Sequence, residues 1–166
     1  MNQSFEQINI IDKVNMPHVI RFILGKLSDY DTALLESMKL LPLNKNVLLH
    51  GCCTYPVRTK PRSRSYKSGY RIRASVNINM APPFIYSHWA RIPSRNYQQG
   101  WYSGAKDFVF DDLDQAAVHT LAHEVFHMLA HSRQIKEKNT EANANWFADV
   151  WLEDYRKWAE IDNIAN

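Results

Sequence analysis

"HTLAHEVFHMLAH", residues His119–His131, carries four histidines at intervals of four and a glutamate directly after the second. On an α-helix, positions four apart stand one above the other, so His123 and His127 can direct two imidazoles at one ion. The inner residues His123-Glu124-Val125-Phe126-His127 read H-E-x-x-H. Catalytic zinc takes three protein ligands and keeps one position open, with Zn–N bonds of about 2.0–2.1 Å. Glu124, next in the chain to the first candidate ligand, is the candidate general base. It can take a proton from a metal-activated water and pass it to a leaving amine. A histidine on a helix face is more often an ordinary polar residue, so the pentapeptide needs a third ligand nearby.

The flanking histidines do not supply it. His131 lies two helical turns beyond His123, and at ~1.5 Å rise per residue it is ~12 Å away along the axis. His119 stands in the same relation to His127. Both are kept as groups at the site margin that could contact a bound substrate. A third histidine six residues after the second, following a turning glycine, is absent, because Ala130 and Arg133 occupy those positions. A carboxylate remains. In Glu141-Ala142-Asn143-Ala144-Asn145-Trp146-Phe147-Ala148, Glu141 follows His127 at a distance that lets one helix end and another begin. Glu141 is therefore the candidate third ligand, although a glutamate in a first helical turn also suits the helix dipole. Asn145, one turn on, can hydrogen-bond a ligand imidazole from behind. Alanines at 142, 144 and 148 allow two helices to approach closely.

His123-Glu124-x-x-His127 followed by Glu141-x-x-Ala144-Asn145-x-Phe147-Ala148 resembles the gluzincin zinc metallopeptidases. It is most similar to the ImmA/IrrE-type peptidases, whose second helix carries a comparable run and whose first often has a histidine at the position of His131. Phe126 stands where that family commonly has glycine. The likeness covers roughly residues 113–152. It implies an α+β, zincin-like metallopeptidase fold: N-terminal helices, a small and mainly antiparallel sheet, an active-site helix and a C-terminal glutamate helix. It also implies a Zn2+ cofactor, a protein or peptide substrate, and an edge strand that binds an extended peptide by strand addition. Tyr70–Asn79 is a candidate for a strand of that sheet. Transition-state donors are sought among His131, His119, Tyr102 and Arg91.

Outward from this segment the chain offers matching elements. Asp112 and Gln115 fit a capping box that opens the histidine helix. Asn139 or Thr140 can cap the last helix, which presents Ala144, Phe147, Trp151, Tyr155 and Trp158 as its packing face. Tyr70–Asn79 alternates apolar and polar residues, the signature of a half-buried strand. Val47–His50, Phe84–Trp89 and Phe108–Phe110 are further strand candidates, with Ser94–Gly104 as a loop. In the N-terminal third, Pro17 opens a helix with Val19, Ile20, Ile23, Leu24 and Leu27 on one side. The spacing of Ala33, Leu34, Leu35, Met38 and Leu41 predicts a second helix, or the continuation of a kinked one, before Pro42.

With 166 residues, 45% of them apolar, the chain suits a single domain over residues 1–166. No apolar run reaches the ~18 residues of a membrane span. The opening MNQSFEQINIIDKV has no basic segment followed by an apolar one, so no secretory signal is expected and a cytoplasmic location follows. Cys52 and Cys53 are adjacent and are read as two buried free thiols, because a disulfide between neighbours is strained and closes no loop.

The net charge of +3 conceals an asymmetry. Ser37–Lys106 contains twelve Lys or Arg and no acid, while the rest holds eight basic and seventeen acidic residues. Arg58–Arg73 carries seven of the positive charges, including Arg58, Lys60, Arg62, Arg64 and Lys67. With Tyr55, Tyr66 and Tyr70 interleaved, this block could track a polyanion. Two functions compete on these grounds. One is a zinc endopeptidase acting on an intracellular protein. The other is a nucleic-acid-associated module whose zinc site is structural or vestigial. Three ligands plus a well-placed glutamate favour the enzyme.

Overall fold

A computed structural model describes residues 7–44, 46–57, 68–93 and 100–165. It opens with strand β1 (Asn9–Asp12), helix α1 (Pro17–Leu27) and strand β2 (Leu35–Pro42). β1 and β2 pair in parallel, which a tight turn cannot accomplish, so the helix serves as the crossover. Asp12 shapes the turn between them: its carboxylate accepts hydrogen bonds from the backbone N–H groups of Val14, Asn15 and Met16. Pro17 then starts the helix at a position where no N–H is needed. Val19, Ile20, Ile23 and Leu27 are buried as the periodicity requires.

The second N-terminal helix is not formed; residues 35–42 are strand β2 instead. The apolar spacing there suits a helix, but the buried set is Leu35, Ser37, Met38 and Leu40. β2 lies between two neighbours, paired with β1 on one side and with β4 (Tyr70–Val76) on the other. Its two ladders override the helix propensity of Leu, Glu, Met and Lys, and Glu36 and Lys39 remain partly exposed.

Strand β3 (Leu49–Thr54) completes a four-stranded sheet of order β1-β2-β4-β3. Only β3 and β4 pair antiparallel, so the expectation of a mainly antiparallel sheet is corrected: two of the three pairings are parallel. β4 begins where the alternating pattern predicts it and ends at Val76, three residues before the expected Asn79, and β3 begins two residues later than its apolar run. Strands β5 (Phe84–Pro93) and β6 (Trp101–Phe110) form a separate antiparallel pair. Trp101–Gly104, read as loop, pairs with Pro93–Ala90. Ile92 and Tyr102, facing each other there, are the kind of β-branched and aromatic pair that favours a ladder.

Helices α2 (Leu113–His131) and α3 (Glu141–Ala165) pack against each other. Asp112 caps α2 by accepting from Gln115 N, 2.8 Å away. The reciprocal bond of the expected capping box is displaced by one residue, since the Gln115 side chain accepts from Asp111 N rather than Asp112 N. α2 is buried nearly all round, as expected for a helix enclosed by the sheet on one side and α3 on the other. Its end is abrupt. Arg133 takes a left-handed conformation (φ 61°), and the N–H groups of Arg133 and Gln134 return to the carbonyls of Ala130 and Leu129. This is the Schellman arrangement. Thr140 caps α3 through Asn143 N, and Ala144, Trp151 and Tyr155 are buried along it with Phe147 and Trp158 partly so. No helix among the described residues is long and apolar enough to cross a membrane.

Candidate metal centre and cleft

The Schellman turn reverses the chain so that the first turn of α3 faces the middle of α2. His123 Nε2 and His127 Nε2 lie 3.1 Å apart. Glu141 Oε2 is 3.2 Å from the first and Oε1 3.4 Å from the second. One ligand atom from each of the three residues lies within 4.8 Å of the others, and each separation above is close to the edge of about 3.3–3.4 Å of a tetrahedron with bonds of about 2.0–2.1 Å.

The hydrogen bonds behind the rings sharpen the point. The Asn145 amide donates to the Trp89 carbonyl (2.7 Å), which can only accept, so its Oδ1 faces His123 Nδ1 at 2.7 Å. His123 must therefore donate from Nδ1 and hold a lone pair on Nε2. Asn139 Oδ1 meets His127 Nδ1 at 2.6 Å, while its amide nitrogen turns to the Tyr55 hydroxyl. The His123 lone pair, the His127 ring and the Glu141 carboxylate thus converge on one point. These three residues could hold a metal ion, and imidazole with carboxylate is a donor set suited to zinc. Burial pushes His123 down to about 3, assisted by His127 and His119, which keeps its ring uncharged.

Glu124 points beside this triad. Its carboxylate is buried, and burial together with the Glu141 charge pushes it up to about 7, against the opposing hydrogen bond from the Cys53 N–H. Cys53 lies on β3, the terminal strand of the sheet. In an antiparallel ladder, alternate residues direct their N–H and C=O the same way. Leu49 and Gly51 therefore share with Cys53 an edge turned from β4. Gly51 is required for space: a Cβ there would stand 2.8 Å from Glu124 Cδ. Together these groups wall a cleft of about 480 Å³, lined by β3 from Leu49 to Cys53 and by Tyr55, Tyr86 and His119 along with the triad.

The remaining sequence candidates distribute unevenly. Asn145 meets the ring of His123, the candidate ligand beside which it was expected. His131 does not reach the triad: it stacks on Tyr55 at 4.3 Å and meets the Tyr70 hydroxyl at 2.8 Å. His119 is almost fully buried and bonds Asp149 (3.2 Å), although its ring forms part of the cleft wall. Arg91 is committed elsewhere, bonding Asn143 and lying over the rings of Trp101 and Trp146, and Tyr102 does not line the cleft. Cys52 and Cys53 are free but half-buried in the cleft wall rather than buried in the core. Arg58, Lys60, Arg62, Arg64 and Lys67 lie outside the described residues; of the same block, Arg71 pairs with Glu36 at 2.7 Å. Gly51 and Tyr86 carried no local signal, and Tyr55 stood out only beside the basic block, because only the fold brings them to α2.

The chain matches no family model, no curated protein and no solved structure.

Proposed function

We propose that this protein is a zinc-dependent peptidase of zincin-like architecture, with His123, His127 and Glu141 as ligands and Glu124 as general base. The observation that carries the reading is the convergence of two imidazoles and a carboxylate within 4.8 Å, with both imidazoles hydrogen-bonded from behind by asparagines. When bound, zinc supplies a Lewis acid that polarises a carbonyl and makes water nucleophilic near neutral pH. The chain's own residues supply the rest. Glu124 is held by the Cys53 N–H with its carboxylate toward the cleft, where it can accept a proton and return it to the departing amine. The free edge of β3 at Leu49 and Gly51 offers backbone donors and acceptors to an extended peptide, which would lie across the cleft by strand addition. The hydroxyls of Tyr55 and Tyr86, both in the cleft wall, are the donors available to a developing oxyanion.

A structural zinc normally closes its coordination with four protein ligands. Among the described residues only three converge, next to an open cleft. The test pairs metal analysis with hydrolysis of an unstructured protein such as denatured casein. Wild type is expected to bind zinc through these residues and to cleave in a chelator-sensitive manner. Glu124→Gln should keep that metal and lose hydrolysis. Cleavage by Glu124→Gln at the wild-type rate would refute the mechanism, and zinc retained in full by His123→Ala would refute the ligand set.

A further inference from the structure

A second group of two histidines and a carboxylate lies deeper in the protein. His88 on β5, His119 on α2 and Asp149 on α3 bring three ligand atoms within 4.8 Å of one another, and all three residues are buried. We infer that His88, His119 and Asp149 form a second site for a zinc-class divalent cation, distinct from the cleft triad, that ties the β5–β6 hairpin to both long helices.

Geometry comes first. Asp149 Oδ1 is 3.2 Å from His119 Nε2 and 3.3 Å from His88 Nε2, again the edge length expected between ligands of one tetrahedral ion at about 2.0–2.1 Å. The second observation is independent. Neither ring nitrogen of His88 makes a hydrogen bond, although the residue is only 7% exposed. The approach of its Nε2 to Asp149 is close but misaligned for donation. Rings of Phe108, Phe110 and Tyr86 surround the two imidazoles, so there is little else for His88 to meet. An unpartnered polar group in such a setting costs about 1–3 kcal/mol. A coordinated cation removes that deficit at Nε2.

Charge is compatible with this. The Lys106 ammonium lies 2.9 Å from the other oxygen, Asp149 Oδ2, and leaves Oδ1 to the histidines. Lys106 sits directly opposite His88 in the hairpin register, and its side chain is 39% exposed, so water screens much of its repulsion toward an ion at Oδ1. Burial would push Asp149 up, but His119, His88 and Lys106 outweigh it and hold the carboxyl well below its usual range. Burial likewise depresses His119. An ionised Asp149 is the state in which a carboxylate ligates a divalent ion.

The location gives the site a purpose. Among the described residues the β5–β6 pair shares no ladder with the main sheet, and a two-stranded ribbon by itself is marginally stable in water. An ion at His88 would pin β5 through the residue preceding Trp89. The Trp89 carbonyl holds Asn145, and Asn145 orients His123. Loading the deeper site thus steadies the ligand geometry of the cleft.

The experiment uses chelator-stripped full-length protein titrated with Zn2+, with bound metal measured per chain. Wild type is expected to take up two equivalents. The double variant His123→Ala/Glu141→Ala, which cripples the cleft triad, should still bind one equivalent, and X-ray absorption should show two imidazole ligands on it. Adding His88→Phe, which fills the same apolar space, should remove that equivalent. In the otherwise wild-type chain, His88→Phe should weaken zinc binding at the cleft about 10-fold, the effect typical of losing support behind a ligand. A folded double variant that binds no zinc overturns the inference. So does a wild-type chain with one equivalent that Glu141→Ala removes. A chain whose only zinc is removed by His88→Phe would support this site and defeat the peptidase reading instead.

Discussion

The two His–His–carboxylate groups share composition and spacing but differ in surroundings. In the cleft, Glu141 is 71% exposed, Glu124 stands beside the ligands, and β3 leaves an open approach. His88, His119 and Asp149 are all buried, and their neighbours among the described residues include the rings of Tyr86, Phe108 and Phe110 and the Lys106 ammonium. On the proposed reading, the same donor set serves chemistry in one place and cohesion in the other. What separates them is whether a reacting molecule can arrive and whether a base is waiting for it.

That contrast can be tested by unequal responses to similar substitutions. Glu141→Ala should reduce hydrolysis by about 10³-fold, the several kcal/mol that a bound metal contributes to a transition state. Denaturant unfolding of the metal-free variant should match wild type within about 0.5 kcal/mol, because the side chain is mostly in water. A large loss of metal-free stability would erase the distinction between the groups. Gly51→Ala comes next. Its methyl would displace Glu124, and a misplaced catalytic group costs about 10²-fold. Steady-state kinetics should show the loss in kcat with zinc content intact.

Asp149→Ala should act in the opposite sense. It leaves Lys106 and two histidines without their carboxylate and should destabilise the metal-free fold by about 2 kcal/mol in urea titrations. Because the folded protein depresses the Asp149 carboxyl, its stabilisation is present above the ordinary unfolded value of about 4 and is lost as the pH falls below it. The gap between wild type and variant should therefore narrow in acid. A constant gap down to about pH 3 would remove the electrostatic explanation. The smallest effect belongs to Asn145→Ala, which frees the His123 ring: zinc affinity should fall about 10-fold with kcat on the loaded enzyme nearly preserved.

The cleft triad was legible before any coordinates, because its members sit on two consecutive helices and local rules connect them. Periodicity aligned His123 with His127, caps marked both helix starts, and the intervening length placed Glu141. The deeper group was not legible. His88, His119 and Asp149 stand on three different elements, each at a position where one polar residue is unremarkable. The sheet was misread for a related reason. Met38 and Leu41 repeat at a spacing that serves a helix as well as an interior strand, and only pairing with β1 and β4 decides. Parallel pairing itself leaves no trace in the two strands, since the connecting helix can be read without knowing which edges it joins. Gly51 is informative only once Glu124 is known to face it.

The span of chain between partners also has a kinetic side. His123 and Glu141 are eighteen positions apart, whereas Gly51 and Glu124 are separated by seventy-three. Loop closure becomes more costly with length, and contacts distant in sequence form late as a rule. During refolding, the helical hairpin that gathers the triad is therefore expected to assemble before β3 docks beside it. Zinc capture would then precede the positioning of Glu124, and a stopped-flow experiment should see metal uptake run ahead of the recovery of hydrolysis. Simultaneous recovery of both signals would mean that the helices and the strand edge fold as one cooperative unit.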